Sequence, residues 1–232
     1  MRGIKVILLG VGLAVSLLGR PWPAWSYSLF GPGWDGPGLG SATVLYHFGP
    51  LTSDLPEDVV KDTLRAALDV WAAVANLTFI ETATAGLPQA IDFSFTTLSP
   101  GDILAFAFPP PPWNSETHAG DVVFDDAELW EVGNGLGGAA YDLLWVAVHE
   151  VGHALGLGHS DVFGSVMYPF VSADTAFTGL HADDIAGILA LYAAAPEPGT
   201  LVLLASGLGG LLGLRRRARS PLPGARRQAL RP

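Results

Sequence analysis

Cysteine is absent from the 232 residues of this chain. Its absence excludes a disulfide-stapled fold, a catalytic thiol and any metal site with cysteine ligands. It also leaves the cellular compartment open, because disulfides are the usual sign of an oxidising environment. Half of the residues are apolar, so a chain of this length can bury the core of one ordinary domain.

Basic side chains are scarce in the middle of the chain. Residues 27–195 contain only Lys61 and Arg65, against 21 acidic side chains, and the other Lys and Arg residues lie towards the two ends. A nucleic-acid groove needs a basic surface that neutralises phosphates. The composition therefore excludes nucleic acid as a partner of this segment.

The first 26 residues have the order of a secretory signal peptide. Arg2 and Lys5 precede an apolar run at residues 6–18, and a small-x-small triplet ends at Ser26, just before the expected cleavage point. This run is shorter than the roughly 20 residues that span a bilayer. We therefore predict removal by signal peptidase, with a retained anchor helix as the alternative.

Between the two ends, the apolar patterns indicate a folded domain at residues 43–195, preceded by a Gly- and Pro-rich extended arm at residues 27–42. Apolar residues spaced by three or four from Val60 to Ala75 predict a long helix that begins at Pro56. Strand patterns occupy residues 43–48, 77–81, 91–95, 103–108 and 122–124. A second helix is expected from Ala140, with a buried stripe of Leu144, Val148, Val151 and Leu155. A third helix is expected at residues 182–192. This order predicts a mixed α/β or α+β domain with one sheet against two helices.

The second helix ends in a metal-binding pattern, because residues 149–159 read HEVGHALGLGH. His149 and His153 stand four residues apart, so both rings point the same way and can bind one ion. Gly156 can take the left-handed conformation that ends the helix, and the reversal can bring His159 to the same ion. Three imidazoles and an open fourth position are typical of a catalytic zinc.

Glu150 lies between the first two histidines and is turned away from their common direction, so it is not expected to bind the metal. From there it can activate a zinc-bound water for hydrolysis. A chain without catalysis would have no physical reason to keep a carboxylate beside the open metal position. The sequence therefore favours a zinc hydrolase over the alternative, a non-catalytic zinc-binding module of the cell surface or extracellular matrix.

The motif resembles the signature of the metzincin metallopeptidases, in which HExxHxxGxxH is followed by a methionine turn. Met167 lies at the expected distance after His159, as a hydrophobic floor beneath the zinc. Ser160 is the residue that matrixins carry after the third histidine, and Pro169 stands where astacins and serralysins have a metal-facing tyrosine. Residues 101–108, 124–130 and 180–188 also resemble matrixin catalytic domains.

This resemblance implies a matrixin-like α+β catalytic domain, with one twisted mixed sheet packed against long helices and a small subdomain after the zinc motif. It implies a zinc metalloendopeptidase whose substrate is a protein or peptide. The substrate would lie extended along the edge strand that contains Leu104 and Ala105. Tyr168 and Pro169 would form a wall of the pocket for the residue after the cleaved bond.

Animal matrixins usually hold a second, structural zinc through histidines whose positions here are Phe106 and Val123. Neither side chain can bind a metal, so we expect no structural zinc at those positions. His118 lies nearby and is expected to be a solvated loop residue without partners. The resemblance thus carries over the catalytic zinc but not the structural one.

The calcium ligands of matrixins map to Asp125 and Glu128 in this chain. A spacing of three residues can direct two carboxylates at one cation, and carboxylate oxygens are the ligands that Ca²⁺ prefers. The Gly-rich loop that usually completes the site is replaced by residues 109–119. Calcium is therefore left open, with a solvated acidic surface as the alternative.

The C-terminal end resembles the PEP-CTERM sorting signal of Gram-negative bacteria, here residues 196–219. Residues 196–198 read PEP, residues 199–214 are apolar and Gly-rich, and an Arg cluster follows at residues 215–219, before a basic tail at residues 220–232. The resemblance implies a transient stop in the inner membrane, processing by an exosortase, and delivery to the cell surface or the extracellular space. An ordinary single-pass anchor is the alternative.

Overall fold

The computed structural model describes residues 5–6, 26–34, 40–98 and 103–196. Most of the expected signal peptide and nearly all of the expected sorting segment lie outside these residues. The chain up to Ala195 belongs to one structural unit. Its elements are β1 Lys5–Val6, β2 Ala42–Phe48, α1 Glu57–Ala72, β3 Leu77–Glu81, β4 Ala90–Thr96, β5 Ala105–Ala107, β6 Val122–Asp125, β7 Trp130–Glu131, β8 Tyr141–Asp142, α2 Leu143–Ala154, β9 Phe170–Val171 and α3 Ala182–Leu191.

Five strands form the central sheet in the order β3, β2, β4, β6, β5. All neighbouring pairs are parallel except the last, in which β5 runs antiparallel to β6 at the edge. Alternate side chains of β2 and β4 point into the core, among them the buried Val44, Ile91 and Phe93. This alternation is why the strands were predictable from sequence, and the sheet is mixed, as expected.

Helices α1 and α2 pack against each other and form the core with the sheet. Helix α1 buries the predicted stripe of Val60, Leu64, Leu68 and Trp71. It ends three residues earlier than the stripe suggested, since Ala75 lies beyond the helix and forms an isolated bridge with Ala194. The burial of Ala75 thus comes from that bridge and not from a helical face.

Helix α2 begins at Leu143 and not at Ala140, because Tyr141 and Asp142 pair with β7 in a short parallel ladder. The carboxylate of Asp142 caps the helix by accepting a hydrogen bond from the Leu144 amide at 3.2 Å. Leu144, which we expected in the buried stripe, is only partly buried. Tyr141 and Asp142 directly precede the apolar helix, so the apolar pattern alone could not show that they belong to a strand.

The other short pairing was not anticipated from the sequence. Lys5–Val6 pairs antiparallel with Phe170–Val171. Strand β5 is also shorter than the segment predicted at residues 103–108. Within the described part of the chain, no helix is long and apolar enough to cross a membrane. The apolar run at residues 199–214 lies outside that part.

Tyr192, directly after α3, joins three parts of the unit. Its side chain is fully buried. Its hydroxyl donates a hydrogen bond to the Leu155 carbonyl at 2.8 Å and accepts one from the Trp34 amide at 3.1 Å. One side chain thus links the end of α3, the end of α2 and the arm.

Replacing Tyr192 by Phe is expected to lower the free energy of unfolding by about 1–3 kcal/mol, because one buried and one partly buried backbone group lose their partner. Chemical denaturation of the purified protein measures this change. Tyr27→Phe is the control, because the Tyr27 hydroxyl makes no hydrogen bond to the residues that the structure describes. This variant is expected to lower the free energy of unfolding by less than about 0.5 kcal/mol. Equal losses in the two variants would contradict this role of Tyr192.

Candidate metal centre and active site

Three histidines meet where α2 ends. His149 and His153 project from the helix, and His159 joins them after the chain reverses, so that one ring nitrogen of each lies within 4.8 Å of the other two. The reversal passes through Gly156, whose φ of 108° is rarely adopted by residues with a side chain. The motif spacing and this glycine together bring the three imidazoles to one point.

Hydrogen bonds decide which nitrogen of each helical imidazole is available. Nδ1 of His149 lies 2.5 Å from the Val166 carbonyl, and Nδ1 of His153 lies 2.7 Å from the Leu157 carbonyl. A carbonyl can only accept, so each Nδ1 carries a proton and donates it. The Nε2 atoms of these two rings and of His159 are buried and have no hydrogen-bond partner among the described residues. Their lone pairs are therefore free to bind a metal.

Burial keeps the three rings neutral. It lowers the pKa of His149 well below its usual value, helped by the charges of His153 and His159. It lowers the pKa of His153 to about 3, again with a contribution from His159, and the pKa of His159 itself to about 4. Zinc binds the neutral imidazole, so this donor set fits zinc throughout the neutral pH range.

Glu150 follows His149 in the sequence, and its side chain is fully buried. Neither of its carboxylate oxygens has a hydrogen-bond partner in the described part of the chain. Burial raises the pKa of Glu150 well above its usual value. An unpaired buried carboxylate lowers the free energy of unfolding, and an apolar residue of similar size would pack equally well without that cost. Such perturbed groups are concentrated at functional sites.

Met167 packs against α2 at Gly152, which is a residue of the zinc-binding motif. A Cβ atom at position 152 would lie 2.5 Å from the Met167 sulfur and 3.0 Å from the Trp71 ring. The indole of Trp71 also donates a hydrogen bond to the Val148 carbonyl at 2.9 Å. The glycine therefore permits the close approach of the methionine floor and of α1 to the histidine-bearing helix.

Asp184, at the start of α3, holds the methionine turn. Its buried carboxylate accepts hydrogen bonds from the Ser165 hydroxyl, from the Val166 amide at 3.0 Å and from the Met167 amide at 3.2 Å. Val166 is the residue whose carbonyl orients His149. Sequence reasoning assigned α3 no part in the site, because acidic residues in a first turn are usually explained by the helix dipole.

The neighbouring Asp183 and the arm support the segment that carries His159. Asp183 accepts hydrogen bonds from the Ser160 hydroxyl at 2.6 Å and from the Ser26 amide at 2.8 Å. The Ser28 hydroxyl donates to the His159 carbonyl at 2.8 Å. Ser28 of the arm, which was predicted only to be extended, thus braces the third histidine, whereas Ser26 is the last residue of the expected signal peptide.

A sequence model of the matrixin family matches residues 39–193 of this chain. The chain belongs to the matrixin family. It is 39% identical over 165 residues to the hatching enzyme of Paracentrotus lividus, 37% identical over 166 residues to matrilysin of Rattus norvegicus, and 43% identical over 149 residues to stromelysin-3 of Xenopus laevis. These matches cover 68%, 68% and 61% of this chain, but only 26%, 60% and 29% of the respective relatives.

In this matrixin a cavity of about 250 Å³ is lined by Trp145 and by Ser165 and Val166 of the methionine turn. Trp145 borders it and stacks on the His149 ring, with centroids 5.6 Å apart and planes 19° from parallel. Tyr168 and Phe170 line the cavity and Pro169 does not. The role of Tyr168 and Pro169 in the pocket for the residue after the cleaved bond stays a prediction. The other lining residues are Phe163, Gly164, Thr175, Ala176, Thr178 and Gly179.

Leu104 and Ala105 lie beside β6, and both side chains are fully buried. Ala105 begins β5, which is the last strand in the order of the sheet. The side chains are therefore not available for contact with a substrate. An edge strand does leave backbone groups free to pair with an extended peptide, which is the role that we predicted for this segment.

Asp125 and Glu128, the expected calcium ligands, have different surroundings. Asp125 is fully buried, and its Oδ1 accepts hydrogen bonds from the amides of Leu98 at 2.9 Å and Ala127 at 3.0 Å. Glu128 is partly exposed. One oxygen of Asp125 is thus used to shape a turn, and calcium binding at this pair stays a prediction.

Replacing Glu150 by Gln is expected to stabilise the metal-free protein at neutral pH. Folding raises the pKa of Glu150 above 4.5, so the unfolded chain loses this proton first as the pH rises. The wild type therefore loses stability as the pH rises from the pKa of Glu150 in the unfolded chain to its pKa in the folded protein. The Gln variant has no such loss, because Gln does not ionise. Thermal unfolding of chelator-treated proteins should give equal midpoints near about pH 4 and a higher midpoint for the variant near about pH 8. A lower midpoint for the variant at the higher pH would contradict this.

Replacing Asp184 by Asn is expected to weaken zinc binding by roughly 10- to 100-fold, because the turn that orients His149 loses one of its acceptor oxygens. Competition with a chromophoric chelator measures the affinity. Asp161→Asn is the matched control, since Asp161 is exposed and close to His159 in sequence. An unchanged affinity in Asp184→Asn would show that the turn is held without this carboxylate.

Proposed function

We propose that this matrixin is a zinc-dependent endopeptidase. One observation carries the proposal. The motif combines three neutral imidazoles, whose Nε2 atoms have no hydrogen-bond partner in the described structure, with a buried carboxylate that also has none there. A purely structural metal site would close its fourth position with protein and would not need Glu150. The similarity to the hatching enzyme and matrilysin supports the same conclusion.

The proposed reaction is hydrolysis of an internal peptide bond. His149, His153 and His159 would hold zinc, which would supply Lewis-acid activation of a water and of the carbonyl group. Glu150 takes a proton from the attacking water and transfers it to the amine that leaves when the C–N bond breaks. Burial raises the pKa of Glu150, which favours the protonated carboxyl group between the two transfers.

The substrate is proposed to bind as an extended chain. Among the described strands β5 pairs only with β6, so its other edge offers backbone hydrogen bonds along the peptide. The cavity between Trp145, Tyr168 and Phe170 is bordered by aromatic side chains, so it suits an apolar side chain next to the cleaved bond.

Glu150→Ala is expected to bind one zinc per chain and to lower kcat by about 100- to 10,000-fold, because the general base is lost. Zinc content and the cleavage of an unbiased peptide library measure the two effects. Glu116→Ala, at an exposed position, is expected to change neither. If the wild type binds stoichiometric zinc but cleaves no peptide in the library, the non-catalytic surface module is the better interpretation.

We also propose that the enzyme is exported from a Gram-negative bacterium. The support is the order of charges and apolar runs at the two ends of the sequence. Signal peptidase would remove residues 1–26, and the Arg cluster at residues 215–219 would hold the chain briefly in the inner membrane. Processing of residues 196–219 by an exosortase would then deliver the domain to the cell surface or the extracellular space.

Mass spectrometry of the mature surface protein tests the proposed export. The expected product begins near Tyr27 and ends near residues 196–198, because both targeting segments have been removed. The N-terminus reports on signal peptidase, and the C-terminus reports independently on the sorting signal. Surface material that always retains residues 215–232 would show that the C-terminal segment is an ordinary anchor.

A further inference from the structure

Trp113 is exposed on the loop between β5 and β6. It belongs to residues 109–119, the segment in which this chain lacks the Gly-rich loop of matrixins. Of the five tryptophans that the structure describes, it alone is exposed, and 56% of its surface is accessible to solvent. Single exposed apolar residues are common on protein surfaces. The neighbours of Trp113 therefore decide what the side chain can do.

Ring contacts join Trp113 to the metal centre. Its indole meets the ring of Phe30 edge to face, with centroids 6.2 Å apart and planes 85° from parallel. Phe30 in turn meets the imidazole of His153 edge to face, at 6.3 Å between centroids. The Phe30 amide donates a hydrogen bond to the Gly156 carbonyl at 2.7 Å, which holds this residue of the arm at the end of α2. Trp113 is thus separated from a residue of the metal centre by one aromatic ring.

The cavity and Trp113 adjoin different histidines. Trp145, which lines the cavity, stacks on His149, whereas Phe30 packs on His153, one helical turn later along α2. Neither Phe30 nor Trp113 lines the cavity. Two aromatic surfaces therefore flank the metal centre, one towards the start of α2 and one towards its end.

The loop that carries Trp113 has internal contacts near both of its ends. The side-chain amide of Asn114 donates a hydrogen bond to the Pro109 carbonyl at 2.7 Å. The expectation that His118 has no partners is wrong, because its Nδ1 lies 3.5 Å from Oδ2 of Asp121, although the side chain is 69% exposed. These contacts restrict where the loop can place Trp113.

Strand β5 leads into this loop. Among the described strands it pairs only with β6, so a peptide bound along its other edge would continue past Ala107 towards Trp113. The separations of 6.2 Å and 6.3 Å from Trp113 through Phe30 to His153 together correspond to about four residues of extended chain. The cavity beside His149 is proposed for the residue after the cleaved bond, so the residues before the bond are the ones that reach Trp113.

We propose that Trp113, supported by Phe30, is a specificity-determining residue that packs against an apolar side chain of the substrate within about four residues before the cleaved bond. The proposal rests on the proposed peptidase function and adds a second apolar contact to that of the cavity. An indole offers a large and rigid contact surface, so ordering it costs little conformational entropy. Because Trp113 lies where this chain departs from other matrixins, the family resemblance did not predict this contact.

Binding of short peptides to the zinc-loaded full chain with Glu150→Ala tests the proposal without turnover. The probes are two acetylated tetrapeptides that end in a free carboxylate, which can bind the open metal position, and that carry either leucine or serine at their first two positions. We expect the leucine peptide to bind about tenfold more tightly, because only its side chains pack against Trp113. Adding Trp113→Ala should abolish this difference, whereas Trp113→Phe should retain most of it.

Isothermal titration calorimetry measures the affinities, and Ile80→Ala in the same background is the matched control. Ile80 is also exposed, but it lies on β3 at the opposite edge of the sheet, so the preference for leucine should remain. Zinc content and the midpoint of thermal unfolding should be the same in all these variants, which separates a lost contact from a lost fold. The proposal is overturned if Trp113→Ala keeps the preference of its parent, or if the parent binds the two peptides equally or not at all. A wild type that binds these peptides but cleaves none in a library contradicts only the proposed function.

Discussion

The hydrogen bonds from the two helical histidines to backbone carbonyls are the interactions on which the rest of the site depends. They place the proton on Nδ1 of His149 and His153 and leave Nε2 free. The acceptor carbonyl for His149 belongs to Val166, in the methionine turn, and that turn is held by Asp184. The imidazole is thus oriented by a chain of contacts that begins at the start of α3 and ends at the metal position.

The site is costly to build. Glu150 and the metal-binding nitrogens are buried polar groups without partners in the described protein, and such groups destabilise a fold. The surrounding structure offsets this cost through the packing of α1, α2 and the sheet around Trp71 and Met167. A site that is unsatisfied in the metal-free chain and fits zinc couples the stability of the protein to metal binding.

Acidic residues have three distinct environments in this fold. Asp142, Asp183 and Asp184 are buried and organise backbone turns through hydrogen bonds. Others, such as Asp58, are exposed on a helix. Asp92 and Asp121 belong to neither group, because they stand next to each other between two histidines. The strong negative charge of the domain is therefore not a uniform surface property.

The sequence by itself determined the zinc motif, the stripe of α1, the alternating strands and the family resemblance, because each is a local pattern of spacing and residue type. It could not separate β8 from the first turn of α2, nor assign Asp184 to the methionine turn, since these depend on residues distant in the chain. Only the tertiary structure decided that Ser28 of the arm braces His159 and that Asp183 holds Ser160. The physical reason is that hydrogen bonds and charges act between neighbours in space, whereas periodicity records only neighbours along the chain.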